Sequence, residues 1–330
     1  MPFDESFPLN ALALYRHKVR NLFQTLLLVG GLGLLLGYLA WVIGGIPFAI
    51  MAFAVVLFSF AFNPMLSPRL ILRLFRGREL RYEDAPRLYL LFETLAERAG
   101  LEQVPQLFYI PSDVMNAFST GTRGDAAVAL SDGLLRRLSL REIAGVLAHE
   151  VAHVRNNDIR VMGFADMMGQ LTRLLSFLGQ FLLILNLPLW LFSYFPMDWL
   201  PILVLILAPS GSALIQLALS RNREYEADLG AAQLTGDPEG LAEALEKMDW
   251  QQSRLLSQLL LPGQRLPEPS LLRSHPPAGE RVRRLLGLRG RPAWEEVLRI
   301  PLETAYGDHH VHVLASSRLR PRWHRSGLWY

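Results

Sequence analysis

The stretch "AHEVAH", residues 148 to 153, sets His149 and His153 four positions apart, with Glu150 directly after the first histidine. On an α-helix, positions i and i+4 share a face, so both imidazoles can converge on one ion. A Zn²⁺ held there lowers the pKa of a bound water towards 7 and polarises a peptide carbonyl, and Glu150 is placed to take the proton. Two histidines and a glutamate on an amphipathic helix also arise by chance, as a satisfied, partly buried pair. The surroundings favour the metal: "IAGVLAHEVAHV" is apolar, and uncompensated ionisable groups are costly in such a setting.

A catalytic zinc takes three protein ligands and keeps a fourth position open. The chain has no cysteine, which excludes thiolates and disulfides and leaves a further histidine or a carboxylate. "DHHVH" at 308–312 gathers His309, His310 and His312, but it lies far downstream in a polar tail, with strand-like spacing, and reads as surface histidines. Another concentration of candidates is "SRNREYEADLGAA" at 220–232, where Arg221, Arg223, Glu224, Glu226 and Asp228 follow a long apolar run.

The elements that must position these groups can be read from pattern. "SLREIAGVLAHEVAHVRNND" opens with Ser139 and has Glu142 three residues on, a capping box that predicts a helix. Ahead of it, "APRLYLLFETLAERAGL" has helical periodicity with a glycine stop, and "VPQLFYI" and "AAVALS" read as short strands. Of the 330 residues, 51% are hydrophobic and 19% charged, a balance that points to membrane spans. The formal net charge of +3 is no nucleic-acid-scale excess, so nucleic acid is not an expected partner.

Residues 22–43 and 46–63 are uncharged and near the length a bilayer needs, which predicts two transmembrane helices joined by a Gly-Pro turn. Arg16, Lys18 and Arg20 flank one end of the pair, and Arg69, Arg73, Arg76, Arg78 and Arg81 the other, so both flanks are expected on the cytoplasmic side. "SPRLILRLFRGRELR" has the pattern of a helix lying on the membrane surface. Apolar character returns at 172–193 and 199–219, a hairpin expected to cross the bilayer twice. Arg173, Gln180, Asn186 and Pro188 make its first arm a poor lone span that should pack against protein.

"HEVAH", followed about 70 residues later by "SRNREYEADLGAAQLTG" across a hydrophobic hairpin, resembles the HtpX-like membrane zinc metalloproteases. That family also includes the endopeptidases that trim prenylated CAAX proteins. The resemblance implies that Glu224, first residue of the "EYEAD" element, is the third zinc ligand. Asp228, one helical turn on, would then hold a ligand histidine in place, with Glu226 a solvated charge. Arg221 and Arg223 mark the cytoplasmic end of the preceding span, and Arg221 is a candidate to buttress the site. "NAFSTG" at 116–121 resembles the family's Asn-Ala-Phe element ahead of an edge strand. Asn116 and the strand residues Ala126, Ala127, Val128 and Ala129 are therefore expected to receive an extended substrate by β-addition. "RSHPPAGERVRRL" resembles the family's Ser-His-Pro element and gives His275 the role of stabilising the oxyanion.

The expected fold is a mainly α membrane protein: transmembrane helices plus an α+β zincin-like metalloprotease domain with a small sheet. Its parts are a tail and two spans (1–64), the first part of the protease domain (65–170), the hairpin (171–219), the second part (220–286) and a C-terminal extension (287–330) without a counterpart in the family. The expected function is that of an integral-membrane, zinc-dependent endopeptidase with one Zn²⁺ per chain, cutting membrane or misfolded proteins at the cytoplasmic face of a bacterial membrane. A prenyl-peptide protease shares the same chemistry. A scaffold or chaperone with a structural zinc would have no use for Glu150, and a transporter would want charges in the first two spans. The sequence fixes no oligomeric state.

Overall fold

The first helix, α1 (Ala11–Ala61), leaves helical geometry at Gly44 and Gly45, where Gly45 adopts φ 69°. Its two arms, 11–43 and 46–61, thus meet at the Gly-Gly-Ile-Pro turn expected there. This computed structural model describes residues 11–61, 68–192, 199–260 and 277–288. The short α2 (Pro68–Leu74) follows, with Leu70 and Leu74 exposed and Leu72 buried against Phe108, Ile110, Ala127 and Ala129. The stretch expected to lie on the membrane surface therefore also covers one face of the sheet.

The sheet is built from β1 (Arg78–Glu79), β2 (Gln106–Ile110), β3 (Ala117–Thr122) and β4 (Asp125–Ser131), with α3 (Pro86–Arg98) between β1 and β2. Its order is β1-β2-β4-β3: β4 runs parallel to β2 and antiparallel to β3. The side chains of β4 alternate between two apolar layers, Val128 and Leu130 on the helical side and Ala127 and Ala129 on the α2 side. The strand expected to be an edge is therefore central. With a partner along each side and its residues buried, β4 has no free backbone row to offer a substrate. The edges are the two-residue β1 and the longer β3, which begins just after Asn116.

A short α4 (Asp132–Arg137) leads to α5 (Leu140–Asn156), which carries His149 and His153. The capping box closes as expected: the Ser139 hydroxyl accepts from the Glu142 N–H, and the Glu142 carboxylate accepts from the Ser139 N–H at 2.7 Å. Asn157 ends the helix in the left-handed conformation, φ 57°, which asparagine tolerates better than most residues. α5 is buried along most of its length, Glu142, His149 and Glu150 included, because it lies among the sheet, α3, α7 and α8.

Two long helices follow, α6 (Asp158–Phe192) and α7 (Trp199–Thr235), then α8 (Pro238–Leu260) and α9 (Ala278–Leu286). The hairpin arms are the far ends of α6 and α7, so the boundaries expected at 170 and 219 fall inside unbroken helices. Among the described residues, the stretches long and apolar enough to cross a membrane are Val19–Val55, Asp158–Leu185 and Leu200–Thr235. α6 packs as its polar residues require: Ser176 donates to the Leu205 carbonyl of α7, and Gln180 donates to Ser176 at 3.1 Å. Leu32 and Leu36 of α1 close the bundle on Phe164, Met168 and Leu219.

Candidate metal centre

α5 and α7 cross closely enough to bring their polar residues to one point. A Cβ added at Gly230 would lie 2.7 Å from the Ala152 Cβ, so the crossing requires glycine there. Within this contact His149 Nε2 lies 3.1 Å from His153 Nε2, 3.5 Å from Glu224 Oε2, and His153 Nε2 lies 3.8 Å from Glu224 Oε1. Ligand atoms of all three residues fall within 4.8 Å of one another.

The other nitrogen of each imidazole meets a carboxylate. His149 Nδ1 is 3.0 Å from Asp228 Oδ1, and His153 Nδ1 is 2.7 Å from Asp158 Oδ2. These bonds hold the proton on Nδ1 and leave each Nε2 as a bare lone pair facing the other. Two lone pairs at that distance repel unless positive charge lies between them. Absent a metal, a proton supplies that charge: burial works against charge on His149, yet its bonds to Asp228 and Glu224 outweigh burial and push its pKa up to about 10. The cluster attracts a cation. Zinc bonds of about 2.0–2.2 Å in a tetrahedron set ligand atoms about 3.3 Å apart, and the observed separations fit this donor set.

Four arginine–carboxylate pairs, none expected from the sequence in this form, hold the carboxylates. Arg281 of α9 is buried and grips Asp228 with Nε at 2.8 Å and Nη2 at 2.6 Å, while its Nη1 lies 3.1 Å from Glu224 Oε2. Arg223 donates to Asp158 Oδ1 at 3.3 Å and to Glu226 Oε2 at 2.9 Å. Glu226 is thus not the solvated charge expected; it pairs with a buried arginine. Arg223 is the arginine that reaches Asp158, where Arg221 had been the candidate. Asp158 had a signal in the sequence, since asparagine at 157 is a natural stop and the next residue opens α6. Arg281 had one too: it shares the i, i+4, i+7 face of buried Leu285 and Leu288.

Glu150 is buried beside His149 and close enough to Arg281 to favour its charge. Asn116 is tied to the end of β4, its N–H donating to Ser131 Oγ at 2.9 Å. His275 and the 308–312 histidines lie outside the described residues.

The profile of Peptidase family M48 matches residues 83–289, and the chain belongs to that family. A protease HtpX homolog of Desulfatibacillum aliphaticivorans is 35% identical over 277 residues, 78% of this chain and 85% of its own. Another, from Sulfurihydrogenibium sp. (strain YO3AOP1), is 35% identical over 291 residues, 80% of this chain and 95% of its own. The crystal structure of S. mikatae Ste24p aligns over 83% of this chain and 67% of that one, at 22% identity and a TM-score of 0.43. Family and apolar helices together make the chain a metalloprotease of the membrane.

Proposed function

We propose that the chain is a zinc endopeptidase in which His149, His153 and Glu224 hold the metal and Glu150 is the general base. The observation that carries this reading is the pair of facing Nε2 atoms, each set by a carboxylate on its Nδ1, with Glu224 completing a three-donor set. Bound zinc would polarise the scissile carbonyl and acidify the attacking water. Glu150 takes the proton from that water and delivers it to the leaving amine. Asp228 and Asp158 keep the imidazoles in register, and Arg281 holds Asp228 and Glu224 in place. An extended substrate pairs with the outer edge of β3, beginning beside Asn116. His275 serves as the oxyanion donor.

The substrates are peptide bonds of membrane or misfolded proteins close to the bilayer, and the protease domain faces the cytoplasm. The basic residues near the start of α1 and those on and just after α2 support that orientation. The α6–α7 hairpin crosses the bilayer twice, with its 193–198 tip on the far side. A cysteine placed at Ser193, in a chain with none of its own, should be labelled in intact cells by a membrane-impermeant thiol reagent.

The deciding experiment compares wild type with Glu150→Gln for zinc content and for cleavage of a membrane-protein substrate. The variant should keep one zinc per chain and lose cleavage by about 10²–10⁴-fold. Near wild-type cleavage by Glu150→Gln would overturn the mechanism.

A further inference from the structure

Among the described residues, a connected polar cluster lies beside the metal centre where α1, α6 and α7 meet. Its hub is Thr25, on the first apolar helix. The Thr25 hydroxyl donates to the Asn21 carbonyl at 2.9 Å, accepts from Asn222 Nδ2 at 2.7 Å and accepts from Arg223 Nη2. One donor and two lone pairs are a hydroxyl's full capacity, so this one is saturated. Asn222 also donates to the Asn21 carbonyl at 2.7 Å, which seats α7 on α1 next to the arginine.

From Arg223 the contacts run on without a gap. Its Nη1 reaches Asp158 Oδ1 at 3.3 Å, and Asp158 Oδ2 is 2.7 Å from His153 Nδ1. Arg223 and Asp158 are both buried, so neither bond is replaced by water when it is broken. Asp158 stands at the first position of α6, directly after the left-handed Asn157, and its carboxylate direction is set from outside α5.

We propose that Thr25 is a positioning residue for the metal centre: through Arg223 and Asp158 it orients His153, so that the seating of the first membrane helix sets metal affinity. The proposal rests on His153 being a zinc ligand. It assigns to α1 a role beyond anchoring. A change in how α1 packs on α7, from lipid thickness or a neighbouring span, moves the Arg223 guanidinium and with it the His153 ring. Glu226 accepts from the same Nη2, so the hydroxyl acts as a trim and not as the main support.

The test uses the full-length protein in detergent, with zinc affinity read by competition against a chromogenic chelator and the melting midpoint read on the zinc-stripped form. Thr25→Val, which keeps the shape and removes the hydroxyl, should weaken zinc binding by about three- to tenfold, below the 10–100-fold expected for a direct partner of a ligand. Thr25→Ser should restore wild-type affinity. Leu72→Ala, a packing loss between α2 and the sheet and away from the α1–α7 contact, should lower the melting midpoint and leave zinc affinity within about twofold. In an Asp158→Asn background, Thr25→Val should have no further effect, because the path is already cut. Unchanged affinity in Thr25→Val, equal loss in Thr25→Ser, or additivity with Asp158→Asn would each overturn the relay. His153→Ala separates the two levels: retained zinc there removes the ligand assignment itself, whereas lost zinc alongside an unaffected Thr25→Val removes only the relay.

Discussion

α5 and α7 each bring two residues to the same point, yet they are held by different means. α5 is short, capped at both ends by its own neighbours, and surrounded by protein. α7 is more than twice as long, and its first half shows Leu200, Leu203, Ile206, Leu207 and Leu214 to the outside. What steadies α7 at the site is long-range: the glycine crossing at 230, the Arg281 clamp from α9 and the Asn222 contact to α1. The histidine pair is therefore a local device and the acidic pair a tertiary one. A helix with its own caps supplies half of the centre; the other half is placed by contacts across the bundle.

The sharpest way to break this comparison is at adjacent acids of α7. Glu224→Ala should abolish stoichiometric zinc, while Glu226→Ala, which removes a partner of Arg223 and no ligand, should weaken affinity by about tenfold at most, as checked by metal analysis after dialysis. Equal losses would mean that α7 contributes general charge and not a ligand.

Next come the two carboxylates behind the histidines. Asp228→Ala and Asp158→Ala should each weaken zinc by about 10–100-fold in the same chelator competition. If the local-versus-tertiary distinction is right, disrupting Arg281 should mimic the loss at Asp228 and spare that at Asp158, since Arg281 touches the first and not the second among the contacts described.

A smaller effect is expected at the crossing. Gly230→Ala places a methyl against Ala152 and should cost about 1–3 kcal/mol of stability in a thermal or denaturant melt. Ala152→Gly in the same chain should return part of it. Absence of any rescue would show that the two helices do not depend on this contact.

The smallest effect belongs to the cap of α5. Burial disfavours charge on Glu142, but the Lys247 ammonium at 2.6 Å and the bonds from Ser139 outweigh it and lower its pKa. A carboxylate with a lowered folded-state pKa adds stability above its unfolded value, about 4.3, and that stability is lost as pH falls through the folded value. The unfolding free energy of wild type minus that of Glu142→Gln, from denaturant melts, should therefore be positive at neutral pH, on the order of 1 kcal/mol, and shrink below about pH 4.5.

The same division explains what could be read from sequence. The capping box, the i, i+4 histidines and the glycine turn of α1 are local, and each stands where the pattern put it. β4 was misread as an edge because hydrogen-bond partners 20 residues away leave no mark on the strand itself; its unbroken run of buried residues was the available hint. Glu224 emerged through resemblance and not from spacing, because its distance to His153 is set by how α6 and α7 fold back. Arg223 was visible as a charge at the end of an apolar run. Its inward direction depends on Asp158 and Thr25, which lie on two other helices.

Because α7 runs unbroken from its apolar stretch into the site, it works as a measuring rod. Leu219 ends the long apolar run and Glu224 comes five residues later, a rise of about 7.5 Å along the axis. Adding one residue between them would lift the carboxylate by about 1.5 Å and also swing it by about 100° away from α5. Height and bearing cannot be adjusted separately, so drift in the elevation of the centre above the apolar layer is blocked by the helix's own pitch.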